Sequence, residues 1–154
     1  MPLEDYAKKR DFTKTSEPPS SEIKKASDKE PIFVVHEHHA SHLHWDLRLE
    51  HEGVLKSWAV PKEPPLEAGI KRLAVAVEDH PLDYAKFEGT IPEGQYGAGK
   101  VIIWDSGTYM PDKFSDREII IDFRGEKLKG KYVLIKTKFG GSDKNWLFFK
   151  KKAE

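Results

Sequence analysis

The sequence predicts an all-β fold of about eight strands, a barrel or a sandwich, behind an irregular N-terminal arm, and three observations carry that expectation. From Ile32 onward, short alternating or apolar runs recur between Gly, Pro and Asp signals at intervals suited to strands. Glu52-Gly53 and Gly140-Gly141-Ser142-Asp143 stand between such runs and have the composition of hairpin turns. The 154 residues, without internal repeat, provide for one domain around one core.

Residues 1–30 are dominated by Lys, Glu, Ser, Asp and Pro, with Tyr6, Phe12 and Ile23 as scattered apolar anchors. They show neither helical nor strand period and are read as an arm, with 31–154 as the domain. The expected strands are 32–37, 42–50, 54–60, 73–78, 100–104, 118–123, 132–138 and 146–150. Glu52-Gly53 closes the second onto the third, and the Gly140-Gly141 turn joins the last two.

Composition removes several function classes. There is no cysteine, which excludes disulfides, thiolate metal sites and thiol nucleophiles, so any metal must sit on His, Asp or Glu. No apolar run approaches the roughly 20 residues of a membrane span, and the N-terminus is polar, so a cytoplasmic monomer is the expectation. Formal net charge is zero, so only the distribution of charge can argue for nucleic acid. Lys127, Lys129, Lys131, Lys136, Lys138, Lys144, Lys150, Lys151 and Lys152 face a single acid, Asp143, which makes one end of the chain basic.

The strand over 42–50 carries the chemistry. Successive side chains point to opposite faces, so His42, His44, Asp46, Arg48 and Glu50 share one face and Leu43, Trp45, Leu47 and Leu49 the core face. Neighbours in the polar row lie about 7 Å apart, a spacing at which side chains converge on one ion and its ligand. His38, upstream in the same histidine-dense stretch, can supply a third ligand. Two imidazoles and a carboxylate suit a divalent ion of the Mn, Fe, Co or Zn kind, and Arg48 offers a bidentate grip on a phosphate beside it.

A polar outer face on a half-buried strand is ordinary, and for one histidine that would suffice as explanation. Five His in nine positions, followed by Asp and Arg in phase, favour a metal or phosphate site; His39 and His42 are left as surface residues. Gly94-Gln95-Tyr96-Gly97-Ala98-Gly99-Lys100 has the spacing of a phosphate-binding loop, but Val101 replaces the required Ser or Thr and a strand follows, so it is read as a turn-rich loop. His36-Glu37 fails as a zinc-protease motif because Ala40 stands where the second His belongs. His80, fixed before Pro81 at a strand end, can contact phosphate or protonate a leaving oxygen; the bland alternative is a turn histidine with Tyr84 packed beneath it.

These runs resemble a known family, the 3′-phosphoesterase module of DNA ligase D. The matching segments are 38–50 with its HxxxxxHWDLRLE form, 53–62, Arg72-Leu73-Ala74-Val75, 77–85 and 87–105, with Lys9-Arg10-Asp11-Phe12 and 15–18 in the arm. The resemblance implies a manganese-dependent enzyme on a β-barrel that removes a 3′-terminal ribonucleoside and a 3′-phosphate from a primer-template end, DNA or RNA-tailed DNA, and leaves a 3′-hydroxyl for end joining. It implies His38, His44 and Asp46 as metal ligands, Arg48 and His80 on the phosphate and Tyr84 assisting. Arg10, Asp11, Glu17, Ser57, Lys62, Arg72 and Glu78 would support the site and contact substrate, and the arm would act as a flap. The protein would either act alone or meet ligase and polymerase functions as separate chains. His36 stands where the family usually has glutamine; as a potential further ligand its imidazole would favour softer ions, zinc or cobalt, over manganese.

Two rivals follow from the same residues. His44-x-Asp46 with a later His80 imitates the two-His-one-carboxylate triad of a non-haem iron oxygenase. The lysine-rich end with Trp146, Phe148 and Phe149 also suits a noncatalytic nucleic-acid-binding module, unless those aromatics are core.

Overall fold

A computed structural model describes residues 3–12, 14, 17, 30–138 and 142–152. The Gly140-Gly141 turn, Ile23 and the family-like positions 15, 16 and 18 lie outside the described residues.

The strands are β1 (Ile32–His39), β2 (Leu43–His51), β3 (Val54–Val60), β4 (Lys71–Pro81), β5 (Gly89–Ile91), β6 (Gly99–Phe114), β7 (Glu118–Arg124), β8 (Lys129–Lys136) and β9 (Asn145–Lys150). Pairing runs β1-β2-β3-β4-β9-β8-β7-β6, all antiparallel, and β6 returns to β1, which closes an eight-stranded barrel with β5 as an extra strand on β6. Closure decides between the barrel and the sandwich and leaves the eight main strands without a free edge along the ring. Glu52 and Gly53 both take positive φ, 51° and 83°, the primed turn whose twist matches a two-residue hairpin.

Phe33, Val35, Trp45, Leu47, Leu49, Trp58, Val60, Ile119, Ile121, Phe123, Tyr132, Leu134, Trp146 and Phe148 fill the barrel interior. Each fully buried Leu, Val or Phe of this set stabilises by roughly 1.5–3 kcal/mol relative to exposure. Leu43, expected on the core face, is exposed, because β2 begins beyond the end of the barrel core. Trp146 and Phe148 are core, and only Phe149 of that trio turns outward, with Lys71 5.4 Å from its ring centroid.

A second apolar cluster sits on the outside of the barrel, built from Tyr6, Val34, Leu55, Tyr84, Ala85, Phe87, Ile91 and Val101. Three segments bring it there: a short helix α1 (Leu3–Lys8) in the arm, the 3-10 turn Leu82–Lys86 after β4, and β5. The polar face of β2 is therefore covered rather than solvated. Among the described residues no helix is long and apolar enough to cross a membrane.

Strand β6 runs ten residues beyond the expected end at 104, through Asp105, Gly107 and Pro111, all of which read as breakers. The Asp105 carboxylate accepts N–H bonds from Ser106, Glu126, Lys127 and Leu128 at 2.8–3.1 Å, so a residue that signals a turn pins the β7–β8 loop from inside a strand. Pro111 lies past the β1 pairing and beside a register shift, where a missing N–H is tolerated.

Candidate active site

Strands β1 and β2 set the site by register. His38 pairs with His44, His36 with Asp46 and Val34 with Arg48, so five of these side chains and one valine form two adjacent columns on the outer face. Asp46, Arg48, His36 and His38 are buried there and His44 is half-buried. His39 and His42 are exposed.

Backbone carbonyls assign the tautomers. His38 donates from Nε2 to the Gly97 carbonyl (2.6 Å), and His44 donates from Nδ1 to the His42 carbonyl (3.0 Å). The other ring nitrogens face the Asp46 carboxylate, His38 Nδ1 3.4 Å from Oδ2 and His44 Nε2 3.2 Å from Oδ1. One donor atom from each of the three lies within 4.8 Å of the others, a group that could hold a metal ion. The donor set fits: two imidazole lone pairs and a carboxylate turned on one point call for a cation, and a carbonyl behind each imidazole fixes its ring. Burial opposes charge on Asp46, but Arg48 and the two histidines hold its carboxyl well below the usual range. On His44 burial likewise opposes the proton, and Asp46 outweighs it and raises the pKa.

Arg48 is held on three sides. Its Nε donates to His36 Nδ1 (3.2 Å), Nη1 to Ser57 Oγ (2.9 Å), and Nη2 lies 3.5 Å from Asp46 Oδ2. His36 is 0% exposed and its other nitrogen donates to the Phe87 carbonyl (3.0 Å), while burial and then Arg48 push its pKa down to about 3. Both His36 ring nitrogens are thus engaged, one by the Phe87 carbonyl and one as an acceptor beside Arg48.

A bulge in β4 completes the site. Leu55 pairs with His80 and Ser57 with Val77, so β4 carries one extra residue and Val77, Glu78 and His80 all line one cavity. His80 is 2% exposed; its Nδ1 lies 3.0 Å from the Glu78 carbonyl oxygen and 3.1 Å from Arg48 Nη1, and its Nε2 lies 3.3 Å from Arg10 Nη2. Burial, with Arg48 and Arg10 beside the ring, holds it neutral. The third member beside His44 and Asp46 is His38 and not the His80 of the oxygenase reading, whose ring nitrogens face Arg10, Arg48 and the Glu78 carbonyl.

The arm reaches into this cavity. Arg10 Nε donates to Glu17 (2.8 Å) and Nη1 reaches the Tyr6 carbonyl (3.0 Å) and Glu78 (3.4 Å), while the Tyr84 hydroxyl donates to the same Glu17 oxygen (2.8 Å). Lys9 also donates to Glu78 (3.1 Å). Arg10, Glu78 and Tyr84 line, together with His38, His44, Asp46 and Arg48, a cavity of about 290 Å³. Asp11 and Lys62 are exposed, and Arg72 donates to the Glu63 carbonyl (2.9 Å); none of the three lines the cavity.

Sequence reasoning missed Tyr96 and Gly97. They sit in the loop dismissed as a failed phosphate-binding loop, and their part is a ring at the cavity mouth and a carbonyl on His38. The glycine density was the available signal: a Cβ at Gly99 would lie 2.2 Å from the His39 carbonyl oxygen, so the loop closes on β1 only through glycine.

The fold and site define a class first: a closed β-barrel whose outer face carries a two-histidine, one-carboxylate group beside a buried, aimed arginine. Residues 36–136 match the family model described as the DNA ligase D 3′-phosphoesterase domain, and the chain belongs to that family. It is similar to the multifunctional non-homologous end joining protein LigD of Pseudomonas aeruginosa, 49% identical over 156 residues, covering 98% of this chain and 19% of that protein. The protein of the same name from Mycolicibacterium smegmatis is 48% identical over 163 residues, covering 99% of this chain and 21% of its own length. The DNA repair protein LigD of Mycobacterium tuberculosis is 51% identical over 136 residues, covering 86% of this chain and 18% of that protein. The chain spans about a fifth of the length of the relatives it matches.

Proposed function

We propose that the chain is a metal-dependent 3′-end-processing phosphoesterase that removes 3′-ribonucleosides and 3′-phosphates from primer-template ends in end joining repair and leaves a 3′-hydroxyl. The observation that carries this reading is the convergence of His38, His44 and Asp46 beside Arg48 in one cavity of a chain from this family. His38, His44 and Asp46 would hold the ion, manganese first among the candidates. When bound, the ion supplies Lewis-acid stabilisation of phosphoryl oxygens and a more acidic water.

The protein's own groups do the rest. Arg48, aimed by His36 and Ser57, neutralises charge on the phosphoryl group in a site from which water is largely excluded. His80 lies between two guanidinium groups, so a phosphate seated there would offset both positive charges and let the ring hold a second proton for a leaving oxygen. Tyr84 keeps its ring under Arg48, 4.8 Å from Cζ to the ring centroid. The arm acts as a flap through Arg10 and Glu17, and a chain lacking residues 1–20 is expected to lose end processing; retained activity would sink that role. Ligase and polymerase functions of end joining would then act on the 3′-hydroxyl.

The test is metal-stripped protein incubated with a labelled primer-template ending in one 3′-ribonucleotide or a 3′-phosphate, with and without manganese, zinc or cobalt. Manganese-dependent conversion to a 3′-hydroxyl is expected. Binding without conversion under every divalent metal would refute the reading and leave the noncatalytic nucleic-acid module.

A further inference from the structure

We propose that Tyr96 is the stacking platform for the base of the 3′-terminal nucleoside, a role that rests on the end-processing reading and adds the residue that senses what lies beyond the scissile phosphate. Of the large apolar side chains exposed among the described residues, Tyr96 is the one aromatic; the others are Leu43, Leu66, Leu73, Met110 and Ile135. It is 46% exposed although Lys9 and Arg10 stand over its ring, at 4.8 Å and 5.3 Å from the centroid. The ring lines the same cavity as His38, His44, Asp46 and Arg48.

The loop fixes its distance from the chemistry. Gly97, the next residue, gives its carbonyl to His38 at 2.6 Å, and backbone bonds from Gln95 to Pro92 (3.2 Å) and from Ala98 to Gln95 (3.1 Å) form two consecutive turns, the second containing Tyr96 and Gly97. The Tyr96 ring is thereby held in the wall of the same cavity as His38 and Arg48, where a phosphate would be bound. The chemistry that such a ring recognises is the π-face of a base, which is sequence-tolerant. A 3′-phosphate end has no base beyond the phosphate, so the platform separates the two substrates of the proposed enzyme.

The experiment compares wild type, Tyr96→Ala and Tyr96→Phe on three primer-template ends: a 3′-ribonucleotide, the same end with a baseless ribose, and a 3′-phosphate. Affinity of the metal-stripped proteins is read by fluorescence anisotropy, and kcat/KM is read with manganese. Wild type is expected to bind the base-bearing end about tenfold more tightly than the baseless one, an advantage lost in Tyr96→Ala and kept in Tyr96→Phe. The ratio of ribonucleoside removal to phosphate removal should fall about tenfold in Tyr96→Ala alone. Equal losses on all three ends would make Tyr96 a prop for the arm or for His38 and overturn the proposal, as would an unchanged affinity difference in Tyr96→Ala. A wild type that prefers the base-bearing end but converts none would refute the phosphoesterase reading and keep the stacking role.

Discussion

Replacing Asp46 with Ala is expected to abolish divalent-metal binding and to lower both end-processing activities on the order of 10³-fold or more, because Lewis-acid stabilisation is worth several kcal/mol and each 1.36 kcal/mol is tenfold. Asp46 is the sole carboxylate in the group and meets His38, His44 and Arg48 within 3.5 Å. Without it only two imidazole donors remain, and no carboxylate offsets the repulsion between a cation and the Arg48 guanidinium. Asp46→Asn keeps the shape and separates loss of charge from loss of packing. Calorimetric titration with manganese and circular dichroism check the two variants, and a folded Asp46→Ala protein with full activity would refute the metal assignment.

Arg48→Lys should leave metal affinity within a few fold and still cost roughly 10²–10³ in kcat/KM, the size of effect seen when one preorganised charge donor is removed. The charge is kept, but a lysine ammonium cannot meet His36, Ser57 and Asp46 from one rigid plane as the guanidinium does. Steady-state kinetics on the 3′-phosphate end decide it. Near-wild-type turnover would mean that charge alone suffices and that the aiming by His36 has no catalytic consequence.

Much of the barrel was legible in the sequence, since alternation with period two is a local property. The eight long strands, the Glu52-Gly53 hairpin and the row His44, Asp46, Arg48 opposite Trp45, Leu47, Leu49 all follow from it. The helix Leu3–Lys8 escaped because six residues hold too little of a 3.6 period to recognise, and its tie to the barrel is the burial of Tyr6. The second half of β6 escaped because Asp105 and Pro111 are read locally as breakers, whereas long-range N–H donors and a missing neighbour make them acceptable there.

By itself the sequence determined which residues face together along one strand, which metal chemistries were excluded by the lack of cysteine, and the family that the motif string resembles. Only the tertiary structure decided that His38 stands across from His44, that His36 meets Arg48 and the Phe87 carbonyl, and that His80 reaches the cavity through a bulge. The physical reason is the range of the determinants. Side-chain alternation depends on the neighbouring peptide units, but cross-strand register, the carbonyls that choose a histidine tautomer and the second apolar cluster that buries an outer face come from segments dozens of residues away, and they exist only once the barrel has closed.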